Sequence, residues 1–488
     1  MTLFAGIDIA TSGCRCLVVD QGGRRVALGS RRWTYAADES GFPMLDPERA
    51  SAALAEATAE ALSSCDRTEI AAVGVTAQRS GVVLLDADGR EIFSGPNADG
   101  RAIMEGLAQE REHGPLIYRT AGRLPAMLYF PARLAWIRAN RPEVFERAHA
   151  ALSFSDWVVW RLTGEVSTDP TQAAEMLVYD VSAGAWSPEL ISALEVPAAL
   201  LPRIVVPGTA AGSVRGDAFG FLPGTPVVPA GADTQCAALG MGVVEPGDAI
   251  VVAGTTMLCE KIVDAPVLDP AGRLWTSPHA TPGRFVQEAH CGESGAAVDW
   301  TAGLLGISAD QMGRESADGV PGAGGVGFFD SFPSNASDFG LVRMGGWQFP
   351  VPLLALGRGR PDVARAVFEG IAFGACAGLD WLSEAGGEPA SLSVCGGVSR
   401  AETFVATLAG VAGREVRVAN EEHSSGLGAA IAAAADHFGG VKEAADAMCD
   451  RGRRVAPRDD DGYPSLYAAW RERAAVMEAS ATRIGQLL

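Results

Sequence analysis

Thr11, Ser12 and Gly13 form the tip of the segment Gly6-Ile-Asp-Ile-Ala-Thr-Ser-Gly-Cys-Arg15. The same grammar returns in Asp248-Ala-Ile-Val-Val-Ala-Gly-Thr-Thr-Met-Leu-Cys259, with Gly254 and Thr255 at its tip. Each copy is an apolar strand, a tight turn of small residues and a second apolar strand. Such turns aim several backbone N–H groups and a hydroxyl at one spot, the arrangement a phosphate chain requires. A single hairpin of this kind is commonplace. Thr11 and Thr255, however, stand half of the 488-residue chain apart. The repeat predicts duplicated lobes facing a shared nucleotide.

The surrounding elements must present these turns. Residues 3–29 read as three antiparallel strands, with turns at Ala10–Gly13 and Gln21–Arg24. A helix is expected at about 47–64, and the buried strand Ile70–Val75 leads into a polar loop at Thr76–Ser80. A hairpin spans 82–93. Helices are expected at about 101–112, 131–139 and 142–150, with another, capped by Ser155-Asp156, ending near Gly164. Leu201–Val206 and Thr225–Pro229 read as short strands, the latter delivering the chain into Gly231-Ala-Asp-Thr-Gln235 and an Ala/Gly-rich helix. The second half restarts with strands over 249–263. Irregular loops (Gly319–Gly327, Phe329–Gly340), a long helix at 361–384 and the strand Ser391–Cys395 follow, and an Ala-rich helix at 425–437 precedes a charged closing helix at about 464–488. This is an α/β chain built twice over. The lobes are expected at 1–243 and 244–488, with a hinge at 240–247.

Composition narrows the chemistry. With 48% hydrophobic, 20% charged and 7% aromatic residues, the chain reads as an ordinary globular protein. A net charge of −20 argues against partners such as nucleic acid or an anionic membrane surface. The only lysines are Lys261 and Lys442, neither in a Gly-rich loop, which excludes a P-loop and the kinase-type V-A-I-K lysine. Nine cysteines lack paired metal-ligand spacing and read as buried apolar residues of a reducing compartment. With no leader-like start and no long apolar run, a cytoplasmic location is expected.

Taken in order, these motifs resemble the FGGY carbohydrate kinases of the actin/Hsp70/hexokinase-like ATPase group. The likeness rests on Asp8, Thr11 and Arg15 in the opening hairpin, Asp233 in Gly231-Ala-Asp, and Gly254-Thr255-Thr256. It continues through Arg365-Ala-Val-Phe-Glu-Gly-Ile-Ala372, Gly396-Gly397 and Leu427-Gly-Ala-Ala430. The resemblance implies two duplicated ribonuclease H-like lobes around an interdomain cleft, ATP and Mg²⁺ as cofactors, and a small sugar or polyol substrate. A homodimer is compatible with it.

The residues carry that chemistry sensibly. Phosphoryl transfer is mostly positioning and charge neutralisation. Asp233, at a strand end and helix start, can take the hydroxyl proton or simply cap the helix. Asp8 can hold Mg²⁺ through water, with Asp233 as a second metal candidate. Thr11, Ser12, Gly13, Gly254, Thr255 and Thr256 would meet phosphates, and Arg15 the transferring phosphoryl. Gly396, Gly397 and Ala401 would lie along the adenosine. Gln78, Arg79, Asp99, Arg101, Asp233 and Thr234 are the substrate candidates, Asp99 and Arg101 being equally readable as a structural ion pair. Ala10 and Val398 stand where the family carries glycine. The Gln78-Arg79-Ser80-Gly81 loop departs from the xylulokinase pattern and Asn97-Ala-Asp-Gly-Arg101 is similar to the autoinducer-2 kinase branch. A ketose or polyol kinase, a kinase of a linear signal or sugar acid, and an ATP-driven switch therefore remain open.

Overall fold

The computed structural model describes residues 1–330, 333, 345–351, 359–458 and 462–485. Two large sheets carry the same core topology. In the first, the antiparallel strands Arg25–Arg32, Gly13–Asp20 and Leu3–Ala10 are followed by the parallel strands Ile70–Ala77 and Pro226–Ala232, with Gly212–Ser213 at the edge. In the second, Phe285–Glu293, Thr256–Val263 and Asp248–Ala253 are followed by parallel Ser391–Cys395 and Val416–Val418. Trp275–Pro278 and Arg453–Val455 flank it. The matching order makes the duplication structural. It is the α/β architecture of two ribonuclease H-like lobes.

The first sheet is covered on both faces, which is why Leu3–Ala10 reads as an almost unbroken apolar run. Leu3, Ala5, Ile7 and Ile9 pack with the helices Pro47–Leu62 and Phe154–Thr163. The alternate positions face the other way, Phe4 packing with the helix Ser424–Ala433. That helix comes from the second half of the chain. It lies so close that a Cβ on Gly6 would sit 2.0 Å from the Gly426 carbonyl oxygen, and one on Gly74 1.9 Å from that of Ala429. Reciprocally, Ala237 and Ala238 of the first-half helix Asp233–Gly240 pack with Ile250 and Ile262 of the second sheet. The opposite face of that sheet packs on the helix Arg360–Gly386. This is the one helix among the described residues long and apolar enough to cross a membrane, and it is mostly buried.

Local signals explain the helix ends. Asp46 accepts from the Glu48 and Arg49 N–H groups ahead of Pro47. Ser153, rather than Ser155, caps Phe154–Thr163, with Asp156 closing a capping box. Other boundaries move. The helix expected at 101–112 runs Ile103–Ala121 through Pro115, and Thr76 and Ala77 belong to a strand. The expected helix 142–150 stops at Arg147, before a strand at Ala150–Leu152. The 425–437 stretch is two helices, Ser424–Ala433 and Ala435–Phe438. The closing helix is Tyr463–Gly485. Most of the loop expected at Phe329–Gly340 lies outside the described residues.

Candidate active site

The pleat that alternates Phe4 and Gly6 toward the helix Ser424–Ala433 brings Asp8, two positions on, to the open space at that helix's N-terminus. There a cavity of about 360 Å³ is walled by Asp8, Ala10, Arg15, Asp233, Thr234, Gly254, Gly396, Gly397 and His423, with others. Asp8 is 5% exposed. Its Oδ2 accepts from Arg15 Nη1 at 3.3 Å, while its Oδ1 has no hydrogen-bond partner among the described residues. Burial raises the Asp8 pKa, with Arg15 opposing. Asp233 opens its helix without capping it. Ala232 occupies the cap position, and the Asp233 carboxylate accepts at 2.9 Å from the N–H of Thr234 alone among the hydrogen bonds of the described residues. Burial pushes the Asp233 carboxyl up to about 7, with Arg79 pulling it down and Asp8 adding to the rise.

A larger cavity of about 700 Å³ lies beside the first and shares Gly254, Gly397 and Arg400 with it. Thr255, Val398, Ala401, Asp299, Asp310 and Phe368 also line it. At the junction the glycines are not crowded by protein. A Cβ on Gly397 would meet nothing within 4 Å, and one on Gly254 only the Thr256 carbonyl oxygen at 3.7 Å. These two backbones are bare toward the cavities, as close approach of a ligand requires. Gly396 differs: its φ is +96° and a Cβ would collide with Ala253 oxygen at 2.3 Å, so its glycine serves the turn.

Thr11, Ser12 and Thr256 remain exposed at the hairpin tips and line neither cavity. Thr11 Oγ1 instead donates to Gln78 Oε1 at 3.3 Å. A Cβ on Gly13 would sit 2.1 Å from the Arg31 carbonyl oxygen, so pairing with the third strand already demands that glycine. Gln78 is buried, and its Nε2 donates to the Tyr35 hydroxyl at 2.8 Å. Arg79 Nη1 donates to both oxygens of Glu288, across the lobes. Asp99 and Arg101 form a buried ion pair at 2.7 Å; Arg101 also reaches Asp38 at 2.8 Å and lies over Phe42, Phe93 and Trp136. The geometry of that pair is structural, since its guanidinium is enclosed by rings and carboxylates.

Sequence reasoning missed several groups here. His423 and Ser424 start the helix Ser424–Ala433, whose first turn has no side-chain cap. The Leu427-Gly-Ala-Ala430 motif pointed to this helix but not to the residues before it. Arg133, fully buried, donates to the Ser80 carbonyl oxygen, and burial lowers its pKa to about 10. Glu175, Glu260 and Glu288 carried no local signal, because each meets its partners far along the chain.

The FGGY carbohydrate kinase N-terminal domain model matches residues 3–240, and the C-terminal domain model residues 249–437. An autoinducer-2 kinase of Escherichia coli O9:H4 (strain HS) is 27% identical over 95% of this chain and 92% of its own length. Among solved structures, a xyloylose kinase of Brucella ovis superposes with a TM-score of 0.86 at 23% identity, covering 99% of this chain and all of that one. A gluconate kinase of Lactobacillus acidophilus gives 0.87 at 20% identity, covering 99% of both chains. With both family domains matched in order across two lobes of one topology, the chain belongs to the FGGY family and is an ATP-dependent carbohydrate kinase.

Proposed function

We propose that this kinase transfers the γ-phosphoryl of ATP directly and in line to a hydroxyl of a small ketose or polyol, a pentulose-like acceptor. The observation that carries this reading is the Asp233 carboxylate. It faces the cavity shared with Asp8, Arg15 and the bare Gly254 and Gly397 backbones, and is held near pKa 7 by burial. The nucleotide's base and ribose fit the larger cavity, along Val398 and Ala401. The phosphates fit the smaller one, where the Gly254 and Gly397 backbone and Arg15 face them. Asp233 accepts the acceptor hydroxyl's proton as the bond to phosphorus forms. Thr234 and the Gln78-Arg79 loop position that hydroxyl.

The free Oδ1 of Asp8 fits a hydrated Mg²⁺, which when bound neutralises phosphate charge. Arg15 keeps Asp8 oriented, so the carboxylate presents one oxygen to the protein and one to the cavity. The nine free thiols, eight of them buried, favour the cytoplasm. A second reading, a kinase of a linear signal, is favoured by the 27% identity to an autoinducer-2 kinase along nearly the whole chain. ADP release measured against pentuloses, hexuloses, polyols and autoinducer-2 decides between them. No release with any acceptor refutes the kinase assignment at this site.

A further inference from the structure

Arg79 belongs to the first lobe, yet its closest carboxylate comes from the second. Arg79 Nη1 donates to Glu288 Oε1 at 3.0 Å and Oε2 at 2.8 Å, and the Glu288 side chain is 0% exposed. Glu175 Oε1 lies 3.8 Å from the same nitrogen and is also paired with Arg123. Arg123 Nη2 continues to Ser277 Oγ at 2.7 Å. The Trp275 ring centroid stands 5.5 Å from the Arg79 guanidinium and 5.4 Å from that of Arg123. Two guanidiniums thus meet two carboxylates in a low-dielectric pocket. Glu260 stands beside Glu288, and burial together with that neighbour raises its pKa.

This cluster lies beside the reaction centre, since Ala77 pairs with Ala232 and the chain leaves these parallel strands at the same end into Gln78-Arg79 and Asp233. A substrate carboxylate is recognised by a cation with donors to spare, most often a forked arginine. Arg79 is the arginine in position, and its charge is already matched by a buried acid, whose two oxygens both accept from Nη1. A sugar acid would have to share the pocket with Glu288 or displace it, and either leaves a charge unpaired in the interior. The same fold accommodates proteins named for neutral ketoses and one named for gluconate, so acceptor charge is a property the site must set.

We infer that Glu288 determines the acceptor class: by neutralising Arg79 through its Nη1 from across the cleft, it makes the site accept neutral polyhydroxylated compounds and refuse those bearing a carboxylate. The inference rests on the reading of Gln78-Arg79 as the acceptor-facing loop of the proposed kinase.

The test compares D-xylulose, D-ribulose and glycerol with D-gluconate and D-xylonate, by kcat/KM for ADP release and by titration calorimetry. Like-charge juxtaposition is strong discrimination, so the best neutral acceptor should exceed the best aldonate by about a hundredfold or more in the natural protein. Glu288→Gln alone leaves Glu260 as a second acid beside the vacated position. The informative variant is therefore Glu260→Gln/Glu288→Gln, in which the aldonate-to-neutral ratio should rise at least ~tenfold, one factor of ten being ~1.4 kcal/mol. A thermal upshift with ATP reports that the variant is folded. Aldonate turnover or binding by the natural protein comparable to its best neutral acceptor overturns the inference, whatever the variant does. So does an unchanged ratio in a variant that still responds to ATP. Absence of ADP release with both classes counts against the kinase reading instead, and calorimetry of D-gluconate on the natural protein and the variant then still decides the charge rule.

Discussion

Asp233→Asn separates a base from a scaffold. Asn keeps the shape and the acceptor for the Thr234 N–H but cannot take a proton. A general base typically contributes ~10²–10⁴-fold, so kcat should fall by about that factor while ATP still raises the melting temperature. Near-normal turnover would sink the assignment. A carboxyl held up to about 7 in the free protein also predicts that kcat/KM for the acceptor falls about tenfold per pH unit below 7 and levels off above it. Stability runs the other way. The folded carboxyl binds its proton more tightly than the unfolded one, so the folded state holds more protons between about pH 4 and 7 and loses stability as pH rises through that window. Asp233→Asn should therefore be more stable than the natural protein above pH 7, as read by urea melts at pH 5 and pH 8. At this scale the sequence displayed what is local. Asp8, Arg15 and Gly254 sit in or beside a repeated turn, and Asp233 follows a recognisable strand. Glu288, Glu260 and Glu175 could not be seen, because what distinguishes each is a partner elsewhere in the chain. Arg101 carries a motif-like spacing, but its ring cage is assembled from Phe42, Phe93 and Trp136 and has no linear trace.

Among the elements, the helix Ser424–Ala433 shows how small residues position a site. Gly6 and Gly74 allow its backbone to lie on the first sheet, and a Cβ on Gly428 would come 1.8 Å from the Cys236 carbonyl oxygen of the helix Asp233–Gly240. Gly74→Ala must push that helix away and is expected to cost about 1–3 kcal/mol or more, seen as a lower urea midpoint. Gly397→Ala is the contrast. Its Cβ meets no protein atom within 4 Å, so stability should hold while ATP-dependent stabilisation shrinks. Equal destabilisation by both would contradict the distinction between packing and ligand-facing glycines. Strand runs such as Leu3–Ala10 were legible because burial on both faces leaves few polar residues. Ile103–Ala121 was cut short in the sequence because Gly114-Pro115 is a stop signal; buried Ile117 and Ala121 carry the helix past it. The strand Trp275–Pro278 had too few residues to show a pattern, and pairing with Phe285–Glu293 creates it.

For the molecule as a whole, each half lends a helix to the other's sheet, and those two helices pack against each other. The smaller cavity is walled from both halves, by Asp8 and Arg15 on one and Gly254 and Gly397 on the other. We propose that acceptor binding rotates the lobes together about this helix pair and the 240–247 segment, excluding water from ATP. Small-angle scattering should then give a smaller radius of gyration with acceptor and a non-hydrolysable ATP analogue than with either alone. An unchanged radius would argue for a rigid cleft.

The exchanged helix also imposes an order on synthesis. The Phe4 and Gly74 side of the first sheet is covered by residues 424–433, which leave the ribosome long after all the strands of that sheet. At ~5–20 residues per second the interval from the last of those strands is roughly ten to forty seconds. Throughout it the nascent first half carries an apolar face that its own helix Asp233–Gly240 covers only in part. Residues 1–243 expressed alone should accordingly be insoluble or chaperone-bound, and should recover when the remainder of the chain is supplied in trans. Premature termination in the second half would then be sensed as a folding failure of the first, long before any catalytic residue of the second is missed.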